Sequence, residues 1–127
     1  MSTQAANLYW LDYTVSPPLW TPVSSNFGLP VAISAGRSGT ATQSSVASSA
    51  SSVTILAANT ARDGATIYND STQILYLLLG TGPASSTVHT VQMAAASYYE
   101  VPYGYTGIIT GIWASANGSA RVTQLTA

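Results

Sequence analysis

VTILA (53–57), ATIYN (65–69), QILYLLL (73–79), TVHTVQM (87–93), SYYEV (97–101), GIITGIWAS (107–115) and ARVTQLT (120–126) decide the fold. Seven short runs rich in β-branched and aromatic residues recur about every ten positions, which is the rhythm of an antiparallel β-sandwich or jelly roll. Val53 and Ile55 alternate with polar neighbours, as do Ile67 between Thr66 and Tyr68 and Val122 beside Thr123, so each strand presents one buried and one wet face. The run Ile74 to Leu79 does not alternate and reads as a central strand covered on both sides. The core expected from this pattern is Ile55, Ile67, Leu75, Leu77, Val91, Val101, Ile109, Ile112, Trp113 and Val122.

The intervals carry turn chemistry. Asp63-Gly64, Asn69-Asp70-Ser71, the Gly80 to Pro83 stretch, Pro102-Tyr103-Gly104 and Asn117-Gly118 all fall between or at the ends of the runs. Asn117-Gly118 has the signature of a two-residue hairpin. Only Ala58 to Arg62 and Met93 to Ala96 can hold a helical turn, so residues 53–127 read as an all-β domain.

Upstream, the composition changes. Residues 34–52 are almost wholly Ser, Thr, Ala and Gly, with Val46 as the one apolar anchor beyond alanine, and read as a linker able to reach about 60 Å when extended. Residues 1–33 alternate at Tyr9, Leu11, Tyr13 and Val15 and are then broken by Pro17, Pro18 and Pro22. They read as an extended N-terminal arm. Tyr9, Trp10, Leu11, Tyr13, Trp20 and Phe27 are too apolar to stay solvated, so they are the candidate partner-binding residues.

The 127 residues suffice for one domain and an arm, and a two-domain enzyme is excluded. Charged residues make up 6% of the chain, against about a quarter in ordinary globular proteins. Lysine is absent and the net charge is -1, so no basic stripe exists to displace counterions from nucleic acid or to hold an anionic membrane. With no cysteine there is neither disulfide nor thiolate chemistry. A secretory signal is not expected at the N-terminus, and the apolar run at Ile74 to Leu79 is far short of the roughly 20 residues a spanning helix needs. A 46% hydrophobic content with so little charge favours association with other protein.

General acid–base chemistry has only His89 and four carboxylates to draw on, and no GxSxG elbow or other nucleophile setting is present. The chain is expected to be no enzyme, with no cofactor. Asn59, Asp63, Asn69 and Asp70 are hard oxygen donors near consecutive turns, but their ordinary role is to close Asx-turns, and no calcium-loop spacing accompanies them. Arg62 is expected to tie its turn to a carbonyl or to a carboxylate such as Asp70 or Glu100. Tyr98, Tyr99, Tyr103 and Tyr105, followed by Trp113, supply either packing and subunit contact or a strip on which sugar rings stack. Alternation puts Tyr98 and Tyr99 on opposite faces.

Three segments carry a resemblance: LAANTARDGATIYNDS (56–71), SYYEVPYGYTG (97–107) and GIWASANGSARVTQL (111–125). In this order they resemble a module of small virion structural proteins of tailed bacteriophages, with Gln124 standing where the related ending often has an acidic residue. The resemblance implies a virion component without enzymatic activity. Its implied roles are a capsid decoration (cement) protein that binds the major capsid protein, commonly as a homotrimer on the capsid surface, or a head- or tail-fibre or adaptor module. From a different class, the tyrosines keep open a carbohydrate-binding module for host attachment.

Overall fold

The computed structural model describes residues 37–127. They form eight strands and no helix: β1 (Thr40–Ala47), β2 (Val53–Leu56), β3 (Arg62–Asp70), β4 (Leu75–Leu79), β5 (Val91–Met93), β6 (Tyr98–Val101), β7 (Ile109–Trp113) and β8 (Ser119–Thr126). These make two four-stranded antiparallel sheets, in the orders β1-β8-β3-β6 and β2-β7-β4-β5. The first strand pairs with the last, the second with the seventh, the third with the sixth and the fourth with the fifth. Two further pairings, β3 with β8 and β4 with β7, join these ribbons into sheets.

One core receives side chains from both sheets. Ala65, Ile67, Val101, Ala120 and Val122 come from the first, and Ile55, Leu75, Leu77, Met93, Ile109 and Trp113 from the second. The expected core is therefore largely present, with two changes. Val91 is only half-buried, and so is Ile112, which follows Tyr76 onto the outward side of its sheet. Small residues take part as well, where side chains of flanking strands in the same sheet fill the space above them. A Cβ on Gly111 would meet Ile55 at 2.8 Å and Leu75 at 3.0 Å.

Several expectations are corrected. The stretch read as a linker contains β1, paired residue by residue with β8 from Thr40↔Thr126 to Ala47↔Ser119, so the folded domain begins before residue 53. Its composition hid it: β1 is an edge strand exposed along nearly its whole length, held by main-chain bonds to β8, and it has little burial to impose a period on its sequence. The run TVHTVQM yields only the three residues Val91–Met93, because Ser85 Oγ accepts from the amides of Thr87 and Val88 and turns the chain there. β4 is central in its sheet, yet its burial alternates, with Leu75 and Leu77 inside and Tyr76 and Leu78 half-covered outside. Asn117-Gly118 joins strands of different sheets, so it is a corner rather than a hairpin turn. Gly118 has φ +85°, and a Cβ there would collide with the Asp70 carbonyl oxygen, so only glycine fits. The expected arm, with Tyr9, Trp10, Leu11, Tyr13, Trp20 and Phe27, lies outside the described residues.

Candidate functional site

β3 places two polar side chains inside the protein, one at each end. Arg62 is buried at the start of the strand. Its Nη1 donates to the carbonyls of Tyr105 (3.0 Å) and Gly107 (2.9 Å), its Nη2 to the Ala57 carbonyl, and its Nε to Gln124 Oε1 at 2.9 Å. The guanidinium thus ties the β2–β3 and β6–β7 connections to β8. Of the two roles expected for it, carbonyl binding holds, and the neighbour that completes its fork is a neutral amide. Burial pushes its pKa below the ordinary arginine value, with Tyr105 acting in the opposite direction.

At the other end Asn69 is fully buried. Its Nδ2 faces the carbonyls of Gln73 (2.8 Å), Ala94 (3.0 Å) and Met93 (3.3 Å), while its Oδ1 accepts from Ser71 Oγ and from Trp113 Nε1 at 3.1 Å. That last bond crosses from one sheet to the other.

The other oxygen donors considered for calcium are directed to separate tasks. Asn59 Oδ1 closes an Asx-turn onto the Ala61 amide, Asp63 accepts from Ser38 Oγ, and Asp70 pairs with Arg121. Among the described residues no group of three or more His, Asp or Glu side chains is placed to hold a metal ion.

His89 stands in the loop before β5, its ring 5.0 Å from that of Tyr76 and its Nδ1 3.1 Å from the Ser85 carbonyl oxygen. Tyr76 points outward from the β2-β7-β4-β5 sheet, whereas Glu100 and Asp70 belong to strands of the other sheet. The histidine and these carboxylates therefore face different sides of the core and share no cleft. Loop bonds from Thr110 Oγ1 to the Gly82 carbonyl and from the Leu79 amide to Thr90 Oγ1 lay the 80–90 segment over this outer face.

The outer face of β1-β8-β3-β6 is more open. Tyr68 and Tyr98 sit directly opposite each other across β3 and β6, 39% and 62% exposed. Arg121 lies opposite Tyr68 on β8 and is fixed by Asp70 through Nη2 at 2.7 Å and Nε at 2.8 Å. The neighbouring row carries Thr123, Thr66 and Glu100. Beyond it, a hollow of about 350 Å³ opens where Gly64 has no side chain, bordered by Asp63, Glu100, Tyr103 and Leu125. A second hollow, about 440 Å³, lies between β1 and β8 beside Gln43 and Arg121.

Of the five aromatics singled out from the sequence, Tyr98 and Tyr103 are exposed, Tyr99 and Tyr105 pack on the core, and Trp113 is in it. Tyr98 and Tyr99 do take opposite faces. Tyr68 was missed as their surface partner, although the signal was present: ATIYN puts Tyr68 on the face away from Ile67. Arranged this way, the face can stack and hydrogen-bond a ligand, but it holds no acid–base pair around a nucleophile. Comparison with family models, with curated proteins and with solved structures finds no match to this chain.

Proposed function

We propose that this chain is a non-enzymatic structural component of a tailed-bacteriophage virion, a decoration protein that binds the major capsid protein and stabilises the shell. The observation that carries the reading is that the three segments bearing the resemblance are bonded into one unit. Arg62 of the first binds the carbonyls of Tyr105 and Gly107 in the second and Gln124 in the third, and Asn69 of the first holds Trp113 of the third. The likeness therefore runs through contacts that fix the fold, rather than through scattered words.

Strand order supports it too. Pairing first with last, second with seventh and so inward is the order of one long antiparallel ribbon folded into two sheets, which supports reading the domain as a jelly-roll sandwich, an architecture of viral capsid and lectin domains. The separation of His89 from Asp70 and Glu100 supports the non-enzymatic reading. Tyr9, Trp10, Leu11, Tyr13, Trp20 and Phe27 are proposed to anchor the chain on neighbouring virion protein, with homotrimers at the quasi-threefold points of the capsid surface.

A cryo-electron microscopy map of particles with and without the chain tests this. Extra density on the capsid surface, lost together with part of the shell's heat resistance when the chain is omitted, is expected. Density on a tail or fibre instead would transfer the chain to the adaptor class, and its absence from particles would end the virion reading. Removing residues 2–33 should leave a folded domain that no longer decorates.

A further inference from the structure

We propose that the outer face of the β1-β8-β3-β6 sheet binds a neutral oligosaccharide, with a pyranose ring stacked on Tyr98 and Tyr68 and its hydroxyls bonded to Arg121, Asp70 and Glu100. Three features point to this class of ligand. The two tyrosines are cross-strand neighbours on the outward face, so their Cβ atoms start about 5 Å apart, and with Tyr98 62% and Tyr68 39% exposed both are open to a ligand lying across them. On the same face, β1 and β8 present Gln43 and Ser45 beside Thr123 and Arg121, so hydroxyl, amide and guanidinium groups flank the tyrosines. An aromatic ring offers its face to the C–H side of a sugar, while polar groups at the ring's edge take the hydroxyls.

Charge narrows the class. Arg121 and Asp70 neutralise each other at 2.7 Å, and Glu100 remains beside them, so the platform is neutral to slightly acidic. A sulfated or phosphorylated ligand would meet repulsion, whereas hydroxyls find both donors and acceptors already in place. Arg121 is held through two nitrogens on one carboxylate oxygen, which fixes its plane before any ligand arrives. A stable protein partner would call for a broad apolar centre, and the large aliphatic side chain on this face is the half-buried Leu125. The hollows on either side, about 350 and 440 Å³, fall within the roughly 300–1,000 Å³ of small-molecule sites and give room for residues of the glycan beyond the stacked one.

This inference does not depend on where the chain sits on a particle. Its test is a titration of the full chain followed by proton–nitrogen correlation spectra, with cellohexaose, chitohexaose and mannohexaose as probes. Saturable shifts confined to Tyr68, Tyr98, Glu100, Arg121 and their strand neighbours are expected with at least one of them. Tyr98→Ala should weaken that binding roughly tenfold, whereas Tyr98→Phe should keep it within about twofold, since the ring is retained. Tyr98 is exposed, so these variants are expected to fold, and Gln92→Ala on the opposite sheet should change nothing. Absence of saturable shifts with all three sugars overturns the proposal. So does binding that survives Tyr98→Ala, and so does a Tyr98→Ala variant that loses self-association or particle binding while no sugar binds, which would make the face a protein contact.

Discussion

Arg62 and Asn69 occupy the two ends of β3 and solve the same problem with different chemistry. At each end, connections from both sheets converge and leave carbonyl oxygens turned away from water, where an unmet acceptor costs about 1–3 kcal/mol. Arg62 has only donors, so it serves an end where three carbonyls and an amide oxygen point inward. Asn69 donates and accepts, so it satisfies carbonyls on one side and the Trp113 indole on the other, joining the two sheets. A buried polar residue is thus selected by the balance of donors and acceptors around it. Charge is tolerated at one end because a fork of bonds surrounds it, and is unnecessary at the other.

The hardest way to break this is Arg62→Met, which fills space but strands the carbonyls of Ala57, Tyr105 and Gly107; a loss of about 3–5 kcal/mol is expected in urea unfolding. A loss below about 1 kcal/mol would mean that water takes the guanidinium's place.

Asn69→Asp keeps the acceptor for Trp113 and Ser71 but aims a carboxylate at three carbonyls, so a penalty of about 2–4 kcal/mol is expected at neutral pH. Those carbonyls raise the folded-state pKa of the introduced acid above its unfolded value of about 3.9. The penalty is therefore full above the folded pKa and shrinks as pH falls through it. Thermal melts across the acid range should show this variant approaching the parent, and a gap that widens in acid would contradict the assignment of Asn69 as a donor.

The smallest effects sharpen the contrast. Trp113→Phe removes the donor to Asn69 and some volume, at about 1–2 kcal/mol. Gln124→Glu gives Arg62 a counter-ion and should add about 1 kcal/mol near neutral pH. Arg62 lowers the folded pKa of that new carboxyl, so the gain is present above its unfolded value, about 4.3, and is lost as pH falls through the folded one. Gln124 pairs with Ala65, four residues and roughly 13 Å along β3 from Asn69, which holds Trp113, so the two effects should add within about 0.5 kcal/mol. Non-additivity would show that the two ends communicate.

Legibility followed burial. β3, β6, β7 and β8 could be read because Ile67, Val101, Ile109 and Val122 must alternate to reach the core, and a strand buried on one face writes a period of two into its sequence. β1 could not, since an exposed edge strand constrains composition hardly at all. Ile112 and Tyr76 misled for the opposite reason: the 80–90 loop covers the outer face enough to admit apolar residues there, so the run looked buried on both sides. Asn69 read as a turn residue because local chemistry favours asparagine in turns, and its interior role depends on Trp113, 44 positions away in sequence. Of the candidate surface, Tyr98 was found and Tyr68 was available by the same alternation.

The pairing of β1 with β8, from Thr40↔Thr126 to Ala47↔Ser119, imposes an order on how the molecule comes into being. Residues 40–47 leave the ribosome early but cannot be seated until the last strand has emerged, so an uncharged strand waits without its partner while the rest of the domain is made. Without β8 it has nothing in register to join. Translation that stops before residue 119 therefore leaves a species with the β1 segment unpaired, and the cell meets it as a substrate for chaperones or proteases rather than as a smaller version of the same protein.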